Sequence, residues 1–102
     1  MIKLLVLYGP PTDPAAFDKY YFESHVPLAK KIPGLRKYTV TKGPIVTPAG
    51  PSPLHLIATL SFDSMAAIGA AFASAEGKAT AADVPKFASG GVEMHFAETA
   101  EV

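Results

Sequence analysis

Apolar residues recur along this chain with two different periods, and the order of those periods is what most constrains the fold. Four segments are apolar at every second position or throughout, which is typical of strands: 2–8, 36–42, 54–62 and 91–97. Two longer segments between them have helical spacing. The order strand, helix, strand, strand, helix, strand predicts an α+β, ferredoxin-like βαββαβ domain. In that fold, a four-stranded antiparallel sheet carries both helices on one face.

Proline, serine and aspartate mark where the two helical segments begin and end. The first begins at Asp13-Pro14 and runs to about residue 31, because Asp is a good N-cap and Pro fits the first helical position. The second begins at Asp63-Ser64, restarts near Ser74 and ends at Pro85. The link 43–53 between the second and third strands is rich in proline and glycine, which predicts a stiff loop rather than a tight hairpin.

The first helical segment holds a histidine among aromatic residues. Five of its residues fall on one helical face, which should pack on the rest of the protein: Phe17, Tyr21, His25, Leu28 and Ile32. Pro27 removes a backbone donor two residues later and frees the carbonyl of Glu23, so we expect a kink near His25. An inward imidazole is either a core residue bonded to a backbone carbonyl or part of a functional site.

Length and composition restrict the class of protein. The 102 residues form one domain, 1–102, since either half is too small to hold a core. Nine basic residues balance nine acidic ones without a long run of either sign, which argues against binding to nucleic acid or to a membrane surface. There is no cysteine, and no apolar stretch has the length of a signal peptide core or a membrane span. We therefore expect a soluble, cytoplasmic protein.

The sheet has more apolar surface than two helices on one face can cover. Leu5 and Leu7 lie on the second face of the first strand, and Ile57 lies on the second face of the third. Exposed together, they would form an apolar patch of the kind that marks association. The pattern predicts a homodimer whose sheets pack face to face over these three residues.

Several short motifs follow one another along nearly the whole chain, from Ile2 to about Ala97. They are Tyr8-Gly9-Pro10, the spacing Phe17, Tyr20, Tyr21, His25, then Pro27-Leu28-Ala29, Pro33-Gly34-Leu35, Phe62-Asp63, Glu76-Gly77, and Asp83 with Phe87. In this order they resemble the EthD family, named for a protein of ethyl tert-butyl ether degradation, within the dimeric α/β-barrel superfamily. The chain departs from the family in having Tyr21 where many members carry Trp, and Ala75 where Pro often precedes Glu-Gly.

The resemblance indicates the fold more narrowly than the reaction. Relatives in the superfamily include cofactor-independent oxygenases, decarboxylases, dehydratases and isomerases of small ring compounds. It therefore implies a homodimer that uses no cofactor and handles a small apolar or aromatic molecule.

His25 and Tyr21 are the candidate catalytic residues. A histidine with a pKa of about 6.5 exchanges protons near neutral pH. The hydroxyl of Tyr21, one turn earlier, either orients a substrate oxygen or caps the edge of the core. Four residues are expected to line the ligand cavity as its walls: Phe17, Leu28, Tyr38 and Tyr8.

The remaining polar candidates have structural interpretations. His55 and His95 are expected on strand faces opposite the main apolar set, as interface residues. No histidines have metal-ligand spacing, so we expect no metal site. Asp83 and Glu76 flank the second helical segment; they either contribute a carboxylate to the mouth of the pocket or, as acidic residues near helix ends usually do, act as caps or solvated charges. Tyr20 should be partly exposed.

Two functions remain open. One is a cofactor-independent enzyme, of oxidoreductase, monooxygenase or lyase/isomerase type, in which His25 moves a proton. The alternative is a non-catalytic accessory or binding protein for a hydrophobic metabolite in a degradation pathway, because no second catalytic partner is evident in the sequence. A purely structural dimer module is a third reading with less in its favour. A His25 that opens onto a cavity favours the enzyme, whereas a His25 bonded away in the core favours the binding protein.

Overall fold

The computed structural model describes all 102 residues and contains one four-stranded sheet and a separate two-stranded one. The strands are β1 (Ile2–Tyr8), β2 (Lys37–Val40), β3 (Val46–Thr47), β4 (Gly50–Pro51), β5 (Leu56–Phe62) and β6 (Val92–Glu98). The main sheet has the order β2-β5-β1-β6, and each neighbouring pair is antiparallel. The predicted α+β class and four-stranded antiparallel sheet are confirmed. The link 43–53, predicted as a stiff loop rather than a tight hairpin, contains the short hairpin of β3 and β4.

The first helical region is divided into three parts. Helix α1 (Pro14–Tyr20) begins at Asp13, whose carboxylate accepts a hydrogen bond from the backbone N–H of Ala16 at 3.1 Å. A π-helical turn, Tyr21–His25, follows, and helix α2 (Val26–Ala29) completes the region. The predicted kink near His25 takes the form of this turn, in which the N–H of Val26 bonds to the carbonyl five residues earlier.

The π-helical turn changes which side chains point inward. An α-helix would place Leu28 in the next inward position after His25, but the turn advances the chain by more residues per revolution. Ala29 is 1% exposed and occupies that position, while Leu28 is only half-buried. The prediction that Leu28 shares the fully buried face was therefore wrong, because it assumed regular α-helical spacing.

The second helical region consists of two helices joined at a sharp corner. They are α3 (Met65–Ala73) and α4 (Ala75–Asp83), followed by a short 3-10 turn, Val84–Lys86. Ser64 and Ser74 cap the two N-termini through their hydroxyls, which accept from the N–H of Ala67 and Gly77. The restart at Ser74 agrees with the sequence pattern. No helix in the structure is long and apolar enough to cross a membrane.

The core lies between the helices and one face of the sheet. Alternate residues of β1 are buried there: Ile2, Leu4, Val6 and Tyr8. On the other face, Leu5, Leu7 and Ile57 are half-buried, with Leu7 directly opposite Ile57. Strand β6 is exposed along its whole length, because no helix reaches over that edge of the sheet.

Candidate functional site

A cavity of about 200 Å³ lies between the helices and the inner face of the sheet. Strands β1 and β5 form its floor, the π-helical turn and α4 form its roof, and Met94 and Phe96 of the exposed strand β6 stand at its edge. All the lining residues are hydrophobic except His25 and Thr80. The cavity therefore suits an apolar molecule with very few polar groups.

His25 is held in this wall by Asp83, the last residue of α4. The two residues are 4% exposed each, and Nδ1 of His25 lies 3.0 Å from Oδ2 of Asp83. The other carboxylate oxygen accepts a hydrogen bond from the hydroxyl of Tyr20 at 2.6 Å, and Nζ of Lys86 is 3.8 Å away. Of the two roles expected for Asp83, the structure contradicts that of a cap or solvated charge, because α4 ends directly beside the π-helical turn and the carboxylate is buried against His25. Tyr20 is partly exposed, as expected.

The protonation of this pair follows from its surroundings. Burial raises the pKa of Asp83, but the hydrogen bonds from Tyr20 and His25 and the nearby Lys86 charge outweigh it, so its pKa lies below the usual range. Burial lowers the pKa of His25, and this effect exceeds the opposing effect of Asp83. At neutral pH, His25 is therefore neutral, and its Nδ1–H donates to the Asp83 carboxylate.

The second ring nitrogen of His25, Nε2, makes no hydrogen bond within the protein. Nε2 has no hydrogen-bond partner, whereas every fully buried side-chain nitrogen or oxygen in the structure has one. Nε2 must therefore border open space, and His25 lines the cavity. A neutral imidazole with Nδ1 held by a carboxylate and Nε2 unoccupied is arranged as a general base.

The three cavity tyrosines differ in what their hydroxyls contact. The hydroxyl oxygens of Tyr21 and Tyr38 are 2.5 Å apart and bond to each other, and burial raises the pKa of both residues. Tyr8 is 2% exposed and its hydroxyl makes no hydrogen bond; this oxygen must therefore border open space, since every fully buried side-chain oxygen is bonded. Tyr8 and Tyr38 line the cavity, as the sequence predicts. Tyr21 lines it too; one hydroxyl of the Tyr21–Tyr38 pair donates to the other, which leaves one O–H of the pair without an acceptor.

Phe17 and Leu28 do not line the cavity, so their predicted place as its walls was wrong. Phe17 is 3% exposed and packs behind the cavity wall, with its ring centre 5.4 Å from that of Tyr8 and 5.7 Å from that of Tyr21. Leu28 is turned away by the π-helical turn. Residues that sequence reasoning missed take these places: Ala29, Phe72, Thr80, Val84, Met94 and Phe96. The sequence did contain a signal for Ala29: Phe17, Tyr21, His25 and Ala29 follow one another at intervals of four residues.

The other histidines lie outside the cavity. His55 was expected on the sheet face away from the helices, but it precedes β5 and turns toward α1. Its Nε2 lies 2.8 Å from Oδ1 of Asp18, and its ring packs edge-on against Phe17. His95 is on β6, with Nε2 3.6 Å from a carboxylate oxygen of Glu93. No three His, Cys, Asp or Glu side chains are grouped so as to hold a metal ion.

Two solved structures with low sequence identity to this chain share its fold. One is SnoaB of Streptomyces nogalater, described as a cofactor-independent oxygenase, with 13% identity over 99% of this chain and 94% of that chain and a TM-score of 0.67. The other is a dimeric protein with a ferredoxin-like fold from Bacteroides fragilis, with 17% identity over 96% of this chain and 95% of that chain and a TM-score of 0.67. At such identities the likeness concerns the fold alone.

Proteins with higher sequence identity to this chain show which family it belongs to. The EthD domain matches residues 9–91. An 11.0 kDa protein from the thcB-thcC intergenic region of Rhodococcus erythropolis is 44% identical over 96% of this chain and 94% of its own length. An EthD family protein of Bacillus halodurans is 38% identical over 98% of this chain and 99% of that chain, with a TM-score of 0.91. The chain therefore belongs to the EthD family.

Proposed function

We propose that this EthD-family protein is a small enzyme that works without a cofactor and moves a proton on a small apolar or aromatic compound. The observation that carries the proposal is the free Nε2 of His25 in an otherwise apolar cavity. A base in such a cavity meets its substrate with little water present, which strengthens electrostatic interactions during proton transfer.

His25 would act as the base and Asp83 as its positioning residue. When Nε2 accepts a proton, the ring becomes a cation, and the Asp83 carboxylate 3.0 Å from Nδ1 stabilises that charge. Tyr20 and Lys86 hold Asp83 ionised through the contacts described above. The pair resembles the base and its orienting carboxylate in other proton-transfer sites, but here it has no adjacent nucleophile.

Proton removal leads to either of two reaction classes. The resulting anion reacts with O₂ in a monooxygenase-type reaction, or it takes the proton back at another atom in an isomerase-type reaction. The fold shared with a cofactor-independent oxygenase supports the first class without deciding between the two.

The variant His25→Asn tests the proposal. The Asn side-chain amide still offers a donor near the position of Nδ1 for Asp83, but Nε2 is gone. Turnover is measured with a panel of small phenols and ketones, by O₂ consumption and by deuterium incorporation from D₂O. For any compound that the wild type converts, we expect a loss of at least about 100-fold in kcat. Undiminished turnover by His25→Asn contradicts the proposal.

A non-catalytic binding or accessory protein is the second candidate. It is favoured by the scarcity of free polar groups in the cavity, since Tyr21 bonds to Tyr38 and Thr80 donates to the carbonyl of Glu76 at 2.8 Å. Saturable binding of panel compounds with no turnover of any of them would favour this function over the enzyme.

We also propose that the protein is a homodimer. Leu5, Leu7 and Ile57 form an apolar patch that the helices do not cover, and association would remove it from water. The dimeric state described for the Bacteroides fragilis protein, which has the same fold, supports this assembly.

A further inference from the structure

Two polar groups in the cavity wall lack hydrogen-bond partners. One is Nε2 of His25, and the other is the hydroxyl of Tyr8, although these residues are only 4% and 2% exposed. The hydroxyls of Tyr21 and Tyr38 bond to each other, which leaves one O–H of that pair without an acceptor, and Thr80 donates to the carbonyl of Glu76. Because every fully buried side-chain nitrogen or oxygen is bonded, the two unpaired groups border open space, where a ligand in this apolar cavity can pair with both.

The rings that carry the two free groups pack against the same two aromatic side chains. The rings of Tyr8 and His25 both pack against Tyr21, with ring centres at 5.7 and 5.3 Å, and against Phe87, at 5.5 and 4.7 Å. Neutral Nε2 accepts a hydrogen bond. Burial raises the pKa of Tyr8, so its hydroxyl stays protonated and donates. A ligand hydroxyl satisfies both groups, since it donates one hydrogen bond and accepts another.

The size and lining of the cavity define the rest of the ligand. Its volume of about 200 Å³ is somewhat larger than the roughly 150 Å³ of an apolar cavity that binds benzene. One ring with a small substituent therefore fits, and the wall offers few free polar groups: Nε2 of His25, the hydroxyl of Tyr8 and one O–H of the Tyr21–Tyr38 pair.

We infer that the cavity binds a single-ring phenol whose hydroxyl donates to Nε2 of His25 and accepts from the hydroxyl of Tyr8. The inference rests on the proposed function, for which it names the substrate class. During the proton transfer, the phenol O–H bond breaks and an N–H bond forms at Nε2. The negative charge stays on the phenolate oxygen, which the Tyr8 hydroxyl stabilises. A phenol suits this base because its pKa of about 10 is far below that of an aliphatic alcohol.

Binding of three matched probes to the wild-type protein tests the inference by calorimetry. 4-Methylphenol makes both hydrogen bonds, 4-methylanisole only accepts one from Tyr8, and toluene makes neither. We expect affinity to fall in that order, by about fivefold for each hydrogen bond lost. If toluene binds as tightly as 4-methylphenol, the inference is wrong, and this comparison needs no variant to fold.

Single substitutions then assign each bond. Tyr8→Phe removes only the hydroxyl and should reduce the preference for 4-methylphenol over toluene by about fivefold. Thr47→Val is the control, since it removes a hydroxyl that is bonded to the Gly50 carbonyl outside the cavity, and it should leave the preference unchanged. An unchanged preference in Tyr8→Phe overturns the inference.

The outcomes separate this inference from the proposed function. Selective binding of 4-methylphenol without turnover supports the inference and contradicts the enzyme. Turnover of a compound without a hydroxyl, together with no preference for 4-methylphenol, supports the enzyme and contradicts the inference.

Discussion

The burial of a single residue, His25, makes the stability of the folded protein depend on pH. Its pKa in the folded protein lies below the ordinary value of 6.5, mainly because of burial. The unfolded chain therefore binds a proton at this residue over a pH range where the folded chain does not. In that range the free energy of unfolding rises with pH, so stability falls as the pH drops below 6.5.

Urea unfolding between pH 7.5 and pH 5 measures this effect. The groups beside His25 are Asp83, Tyr20, Lys86 and Tyr21, and the lowered pKa of Asp83 confines its own effect to more acidic pH. We expect the wild type to lose stability toward pH 5 more steeply than His25→Asn, which retains the other two histidines. Parallel pH curves for the two proteins would show that His25 does not titrate differently on folding.

The π-helical turn decides, at the scale of an element, which neighbours of His25 reach the cavity. Ala29 lines the cavity and is 1% exposed, whereas Leu28 is half-buried and does not line it. A leucine at position 29 would extend into the space that a ligand needs. A change in side-chain size at position 28 would leave that space unaffected, because Leu28 does not line the cavity.

Two variants test this consequence of the turn. Ala29→Leu should weaken binding of toluene at least tenfold by filling the cavity, which is about 1.4 kcal/mol in binding free energy. Leu28→Ala should leave toluene binding unchanged, and calorimetry measures both. The opposite ranking of the two variants would mean that the helix keeps α-helical spacing through Tyr21–His25.

The corner between α3 and α4 places Asp83, and Gly77 makes the corner possible. A Cβ at Gly77 would lie 2.7 Å from Cα of Phe72 and would also clash with the backbone of Ala71. We expect Gly77→Ala to lower the free energy of unfolding by more than about 2 kcal/mol, because backbone must move. Gly69→Ala is the control: nothing lies within 4 Å of its added Cβ, and it should stabilise α3 by roughly 0.5–1 kcal/mol. Equal effects on the melting curves would contradict this role for Gly77.

The sheet face that the helices do not cover bears on the oligomeric state of the whole molecule. Leu7 of β1 lies directly opposite Ile57 of β5, in the middle of that face, and both are half-buried. Packing against a second copy would bury them. A charge at this place would then be desolvated without a partner, which is strongly unfavourable.

Light scattering after size-exclusion chromatography tests the assembly. We expect the wild type to be a dimer at micromolar concentration and Leu7→Lys to be a folded monomer. Met65→Lys should stay dimeric, since Met65 is 52% exposed on α3, away from this face. A stable wild-type monomer would contradict the proposed dimer.

The sequence by itself determined the order of elements, the antiparallel sheet and the inward position of His25. Each of these depends on local signals: the period of apolar residues, caps such as Asp13 and Ser64, and stops such as Pro85. Such signals act within a few residues, because hydrogen bonds and side-chain contacts in one helix or strand have a fixed spacing.

Only the tertiary structure decided which groups surround His25. Its partner Asp83 is 58 residues away along the chain, and the two meet because α4 ends beside the π-helical turn. The exclusion of Phe17 from the cavity and the free hydroxyl of Tyr8 likewise follow from packing between elements. The period of apolar residues reports that a side chain points inward, but not which side chains of other elements it meets there.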